Sequence, residues 1–380
     1  MFERRHYINL ISLLLTAFVS SVYFFKYSSV YLRHPFLLTA IYILIFVFVA
    51  LAIGKIKDEN LLISNRKFLI TFSILILAAT FLWITFLPRF GQIGRLPAIK
   101  DWLDRFFSGR FPYNSPFTPS GYPFLFFSSI PFYFIGNIGY LEIAGLVLFI
   151  YLLFLSAKSR KEIFVVLIIL LMTPILYYGI VVRDELFFNM MIPLATIFIA
   201  EKYLNVDKSD LKFILIGILF GLALSTRSVV AIIYAIYLLY VFRTAIPKGL
   251  FFLIIVSSVF ILLLIPFLIW DEKSFMHNGP IAIQSYLSHI PFWSAVLFIL
   301  ISAAAGWIAA DLQEVFFACG IFLFIPVFVS MLIQISQVGF NEAIVNDIFD
   351  PSYYIFCIPF LLLSIKDYKV DKTLGKILTD

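Results

Sequence analysis

Two aspartates share the longest polar stretch of the sequence, residues 89–121, with several basic side chains. Asp101 and Asp104 are three residues apart, a spacing that puts both carboxylates on one face of a helix. Arg105 follows Asp104 directly, and Arg110 lies shortly after it. An arginine guanidinium binds phosphate oxygens through two parallel N–H donors. The stretch therefore indicates a site that combines carboxylates with phosphate-binding groups.

A second set of charges interrupts otherwise apolar sequence. Arg183, Asp184 and Glu185 are consecutive and lie between two apolar runs, and Arg227 lies between two more. Charged side chains at membrane depth are costly, and they are usually paired or functional. Arg227 is a candidate for holding a phosphate group near the membrane surface. The alternatives are that the triplet is only a topological marker and that Arg227 reaches toward lipid headgroups.

The elements that must carry these residues are membrane helices. The chain has 380 residues, of which 62% are hydrophobic and 13% are charged, and its mean hydropathy is +1.03. A water-soluble domain of this size needs more polar residues to cover its surface than this chain has. This composition excludes a cytosolic enzyme, a disulfide-rich secreted scaffold and a disordered chain. Neither the two cysteines nor the four scattered histidines have the spacing of a metal site.

A window of roughly 20 apolar residues predicts an all-α, polytopic bundle of about twelve spans in a single membrane domain, residues 1–380. Residues 97–107 predict an amphipathic helix in the external loop, with Leu103, Phe106 and Phe107 on one face, ending at Ser108-Gly109. Residues 122–136 are too short for a span and predict a re-entrant or interfacial helix. The predicted spans are 8–25, 36–54, 68–88, 138–156, 163–182, 186–204, 211–226, 229–242, 250–270, 292–310, 315–334 and 352–365.

The distribution of basic residues predicts the orientation. With both termini in the cytoplasm, lysine dominates the predicted cytoplasmic segments and arginine the external ones. The loop 89–121 then lies outside. The compact loops favour a bacterial inner membrane. The first apolar segment lacks a cleavage site and is expected to be retained.

The loop sequence DWLDRFFSGRFPY, followed by SGYPFLFFSSIPFYFIG, resembles the first external loop of GT-C type polytopic glycosyltransferases, in particular the mannosyltransferase-like members. The segment that ends at Arg227 is similar to a Gly-rich helix of that family that ends at a basic residue. The sequence Pro351-Ser352-Tyr353-Tyr354 is similar to a late aromatic segment. The resemblance covers most of residues 89–365 as a pattern of spans and loops.

This resemblance implies transfer of a sugar from a polyprenyl-phosphate donor to a hydroxyl group of a glycan, lipid or protein. It implies Asp101 as the general base, with Asp104 second, and Arg227 with Arg183 as the phosphate clamp. Asp184 and Glu185 are candidates for a second acid or for positioning the acceptor. No nucleotide cofactor is expected, since no Gly-rich phosphate loop is present. A divalent metal stays open without a specific ligand set.

Two other classes of function remain open on the sequence. One is a transporter or flippase of lipid-linked saccharides, and the other is a polymerase or ligase of surface polysaccharide. A flippase needs charges along a path through the bilayer, and few charges lie inside the apolar segments. Membrane lipids are expected partners of every class, and nothing indicates binding of nucleic acid.

Overall fold

A computed structural model of the chain describes residues 2–55, 65–89, 95–206, 210–288, 292–346 and 348–366. Within these ranges the protein is helical and contains no strand, as the composition predicts. A π-helical turn, Asn341–Val345, and two 3₁₀ segments, Pro112–Asn114 and Pro351–Phe356, supplement the α-helices. The α-helices in chain order are α1 (Phe2–Tyr31), α2 (Pro35–Gly54), α3 (Arg66–Phe86), α4 (Arg95–Phe107), α5 (Pro123–Phe134), α6 (Tyr140–Ser156), α7 (Arg160–Leu171), α8 (Pro174–Val182), α9 (Leu186–Tyr203), α10 (Leu211–Leu224), α11 (Val230–Phe242), α12 (Ile246–Trp270), α13 (Glu272–Asn278), α14 (Pro280–Ser288), α15 (Phe292–Ile308), α16 (Leu312–Val338) and α17 (Ile358–Ser364).

Six helices of the described ranges are long and apolar enough to cross a membrane: α1, α2, α3, α9, α12 and α16. Helices α7 and α8 meet at a bend of 63°, and they make a seventh span if the bent pair is counted as one. The bend occurs at Thr173-Pro174, because proline has no N–H for the helical hydrogen bond and disfavours helical geometry in the residue before it. The other five predicted spans correspond to shorter apolar helices. The count of about twelve spans is therefore not confirmed and stays a prediction.

The helices differ in how much of their surface the protein itself covers. In α2 only 11% of the best apolar window is buried, whereas in α9 the share is 56%. Phe36, Leu44 and Phe48 of α2 are each about 70% exposed and are the kind of side chains that lipid solvates. These features are compatible with an integral, multi-pass membrane protein in which α9 lies centrally and α2 at the periphery.

Polar contacts between distant segments gather at two ends of the bundle. At the first end, where α1 begins, Arg4 pairs with Glu314 at 2.9 Å and Arg5 with Asp311 at 3.1 Å. At the second end, where α1 finishes, the Lys26 ammonium donates to the carbonyl of Phe349 at 3.1 Å. The predicted external charges Asp184, Glu185 and Arg227 all lie at the second end.

Helices α4 and α5, with the described residues between them, form a cap on the second end of the bundle. Helix α4 begins two residues before the predicted start and ends before Ser108-Gly109, as predicted, with Gly109 at φ +72°. Its buried face contains Ile99, Trp102 and Leu103, but Phe107 is 48% exposed, so the predicted apolar face is correct only in part. Trp102 stacks on Phe126 of α5 with ring centroids 4.3 Å apart. This aromatic contact fixes α4 against the 12-residue α5.

Candidate functional site

An ionic centre, buried except at the half-exposed Asp350, lies at the second end and is assembled from five separate segments of the chain. It comprises two arginines and four acidic residues, and we use the term for these six residues only. They are Arg95, Glu142, Asp184, Glu185, Arg227 and Asp350.

Arg227 and Glu185 form the most deeply buried ion pair described in this centre. The guanidinium Nη2 donates to Glu185 Oε1, and the exposed fractions of the two side chains are 4% and 1%. The Nη1 atom donates to the hydroxyl of Ser120 at 3.2 Å. The Nε of Arg227 and the Oε2 of Glu185 have no hydrogen-bond partner within the described part of the chain. A buried pair with one unused donor and one unused acceptor is positioned to bind a polar ligand.

The loop that carries Arg227 is fixed by backbone hydrogen bonds to the segment before α5. The amide of Tyr122 donates to the carbonyl of Thr226 at 2.9 Å, and the amide of Phe124 donates to that of Ser225 at 3.0 Å. The loop between α10 and α11 is therefore connected to the cap formed by α4 and α5. This connection sets the height of Arg227 in the bundle.

Arg95, the first residue of α4, is the second arginine of the centre. Its Nη2 contacts Asp350 at 2.9 Å and its Nη1 lies 3.9 Å from Asp184. Burial lowers the pKa of Arg95, but Asp350, Tyr353, Glu185 and Asp184 together raise it well above the usual value. Desolvation opposes ionisation of Asp350, but Arg95 and Ser352 hold the Asp350 pKa below its usual range. Both groups are charged at neutral pH.

The 3₁₀ segment Pro351–Phe356 lines both arginines with aromatic rings. The guanidinium carbon of Arg95 lies 4.6 Å from the ring centre of Tyr353, and that of Arg227 lies 5.9 Å from Phe356. A 3₁₀ helix has three residues per turn, so Asp350, Tyr353 and Phe356 share one face. This single face therefore provides a counter-ion for Arg95 and cation–π contacts for both arginines.

Glu142 contributes a further carboxylate to the centre. It lies in the first turn of α6, is fully buried, and neither of its carboxylate oxygens has a hydrogen-bond partner within the described ranges. A Cβ on Gly179 would lie 3.2 Å from Oε1 of Glu142 and 3.3 Å from Oδ1 of Asp184. Gly179 thus lets α8 approach both carboxylates closely. Asn189, also fully buried, has no partner for its side-chain amide in the same ranges.

Three of the six predicted site residues come together in this centre, namely Asp184, Glu185 and Arg227. Arg183, predicted to bind phosphate, ends α8 in a left-handed conformation with φ +57°. Its Nη2 donates to the carbonyl of Leu87 at 2.8 Å, and its side-chain carbons pack over Gly139. Its contacts thus connect α8 to the end of α3, and its phosphate role stays a prediction.

The two aspartates of α4 make contacts of their own. Asp101 accepts a hydrogen bond from Nε of Arg105 at 2.7 Å, and Asp104 accepts one from the Tyr133 hydroxyl at 2.6 Å. Desolvation raises the pKa of Asp101, but Ser115, Arg105 and the charge of Arg110 lower it below its usual value. Asp101 is six residues beyond Arg95, roughly 9 Å along the helix axis. Their catalytic role stays a prediction.

Sequence reasoning missed three members of the centre. Glu142 is the single acidic residue in the apolar run 138–156, and an isolated acid at membrane depth is a signal that could have identified it. Asp350 lies with Glu342 and Asp347 in the stretch 338–351, where local sequence favours loop solvation for most of the acids and a place at an acceptor site for one or two. Glu342 is exposed and accepts from Asn346, whereas Asp347 lies outside the described residues. Nothing in the sequence marks Arg95 as the partner of Asp350.

Within the part of the chain that the structure describes, no group of three or more His, Cys, Asp or Glu side chains has the geometry to hold a metal ion. Comparisons with models of known families, with curated proteins and with solved structures gave no match to this chain. The fold and the site therefore define a class only, that of helical multi-pass membrane proteins with an ionic centre at one end.

Proposed function

We propose that this protein is a membrane-embedded glycosyltransferase of the GT-C type. It transfers a sugar from a polyprenyl-phosphate donor to a hydroxyl group of an acceptor. The reaction takes place at the second end of the bundle, which faces the exterior in the orientation given by the lysine distribution.

The observation that carries this proposal is the Arg227–Glu185 pair beside Arg95. Two arginines, Arg227 in a buried pair with Glu185 and Arg95 in contact with the half-exposed Asp350, suit the phosphate of a lipid-linked donor. That phosphate carries negative charge in the ground state and gains it in the transition state. The Nε atoms of Arg227 and Arg95 have no described hydrogen-bond partner, so both can donate to oxygens of the phosphate. Their position at the end of apolar helices suits a donor whose polyprenyl chain stays in the lipid.

In this mechanism the acceptor oxygen attacks the anomeric carbon of the sugar as the bond from that carbon to the phosphate oxygen breaks. The acceptor proton passes to a carboxylate, and the polyprenyl phosphate leaves with the bonding electron pair. Glu185 is the general base that the contacts favour, because Arg227 orients one of its oxygens and the other has no described partner. Arg95, in place of the Arg183 that the resemblance implied, is the second arginine of the phosphate clamp.

The direct test is transfer of radiolabelled sugar from defined polyprenyl-phosphate donors to candidate acceptors by the purified protein in proteoliposomes. We expect a glycosylated product and a stoichiometric amount of free polyprenyl phosphate. A flippase would instead move the labelled donor across the membrane without consuming it. Movement without product would refute the proposed reaction and favour that alternative.

The sequence and the contacts differ in the carboxylate they favour, which gives a separate prediction. We expect Asp101→Asn to change the transfer rate by no more than about threefold, as for surface substitutions away from a site. The reason is that Asp101 is engaged by Arg105 and Ser115 and its depressed pKa makes it a weak base. The measurement is the initial rate of transfer. A complete loss of transfer in this variant, with normal insertion of the protein into the membrane, would show that the general base is Asp101 of α4.

A further inference from the structure

Two short helices, α13 and α14, contact the cap and the loop that carries Arg227. Gly279 separates the two helices, and a Cβ at this position would collide with the carbonyl oxygen of Phe275. The side-chain amide of Asn278, the last residue of α13, donates to the side-chain oxygen of Asn114 in the cap at 3.0 Å. The glycine turn and this contact set the place where α14 begins.

Gln284 of α14 uses both ends of its side-chain amide on residues next to Arg227. Its Nε2 donates to the carbonyl of Ser120 at 2.5 Å, and its Oε1 accepts from the hydroxyl of Ser228. Ser228 follows Arg227 in the chain, and the hydroxyl of Ser120 accepts from Nη1 of Arg227 at 3.2 Å. Gln284 therefore connects the residue that Arg227 contacts to the residue that comes after it.

These contacts restrain the guanidinium of Arg227. Glu185 accepts from Nη2 and Ser120 accepts from Nη1, while Gln284 holds the backbone of Ser120 and the side chain of Ser228. The Nε of Arg227 has no hydrogen-bond partner among the described residues, so it can donate to a ligand. A side chain that is already held in one orientation loses less conformational freedom when it binds, which favours affinity.

We propose that Gln284 is a positioning residue for the phosphate-binding arginine. Through Ser120 and Ser228 it holds the Arg227 guanidinium in one orientation, in which Nε donates to an oxygen of the phosphate. The inference rests on the proposed function, because it takes the ligand of Arg227 to be the phosphate of a lipid-linked donor.

The test is equilibrium titration of the purified full chain in nanodiscs with polyprenyl phosphate, which requires no turnover. Gln284→Met keeps the length of the side chain and removes the amide that makes both contacts. We expect about tenfold weaker binding, on the scale of one lost hydrogen bond. In the Arg227→Gln background the same substitution should change the affinity by less than about twofold, because the group that Gln284 positions is gone. Equal effects in the two backgrounds would overturn the proposal.

A second measurement follows Arg227 without any ligand. The order parameter of its Nε–H bond is obtained from ¹⁵N relaxation, and its signal is the one that disappears in Arg227→Gln. We expect a lower order parameter in Gln284→Met. Ser228→Ala removes one of the two contacts and should give a smaller decrease, and it decides the question if Gln284→Met fails to fold. An unchanged order parameter would overturn the proposal, since Gln284 would then affect stability alone.

The matched control is Gln337→Met, which makes the same change at an exposed glutamine near the end of α16. It should bind polyprenyl phosphate as the unmodified protein does. Unchanged affinity in Gln284→Met would refute the positioning role and leave the proposed reaction standing. If the unmodified protein does not bind polyprenyl phosphate, the phosphate site itself is refuted, and the positioning role with it.

Discussion

Glu185→Gln is expected to lower the rate of sugar transfer by about 10²- to 10⁴-fold, the usual contribution of a general base. Glutamine is nearly the same size as glutamate, and its amide oxygen can still accept the hydrogen bond that Arg227 donates. It cannot accept the proton of the acceptor hydroxyl. The substitution therefore removes the base while it keeps the size of the side chain and one hydrogen bond, although Arg227 loses its counter-ion.

The measurement is single-turnover transfer with the donor bound in advance, so that a change in donor affinity does not affect the rate. Glu342→Gln is the control, because Glu342 is an exposed acid that contacts Asn346 beyond the end of α16. That variant should transfer at the unmodified rate. If Glu185→Gln also keeps the unmodified rate, Glu185 is not the base.

Arg227→Gln is expected to have the largest effect on stability. Removal of one partner from a buried ion pair leaves the other charge without compensation, at a typical cost of about 3–5 kcal/mol. Here the uncompensated group would be Glu185, whose side chain is 1% exposed. The same substitution removes donors from the phosphate site, so the affinity for the lipid-linked donor should fall as well.

Thermal unfolding in detergent and donor binding by equilibrium titration measure the two effects. In the double variant Arg227→Gln/Glu185→Gln no buried charge is left unpaired, so we expect less destabilisation than the sum of the single variants. Arg183→Gln is the matched control, since it makes the same change at an arginine that contacts the carbonyl of Leu87. Unaltered donor affinity in Arg227→Gln would remove this arginine from the phosphate site. Additive destabilisation in the double variant would show that the pair is not coupled.

Several features of the site could be predicted from local sequence. Asp184, Glu185 and Arg227 each lie between two apolar segments, and alternate connections of a bundle of antiparallel helices emerge on the same side. Their common location at the second end follows from that alternation and from the high cost of placing charge within the bilayer. The residues could therefore be grouped without knowledge of the packing, although 42 positions separate the two partners of the pair.

Other features were outside the reach of local reasoning. Arg95 and Asp350 are 255 residues apart, and their contact requires both the fold of the cap and the position of the 3₁₀ segment. The predicted face of α4 failed at Phe107, because periodicity indicates which residues share a face but not which neighbour covers them. For Asp101, the pairing with Arg105 at the i,i+4 spacing is local, whereas the contact with Ser115 depends on the path of the chain after α4.

The sequence by itself indicated that membrane lipid surrounds most of this protein and that its elements are helices. It also showed the few positions where charged residues interrupt apolar segments. All three features depend on composition and on order along the chain. Only the tertiary structure decided which charges meet. It paired Arg227 with Glu185 and brought Arg95 between Asp184 and Asp350. It left Asp101 with Arg105 on α4 and Asp104 with Tyr133 on α5. The physical reason is that an ion pair forms between atoms within about 4 Å, and distances on that scale are set by packing between helices that are remote in sequence.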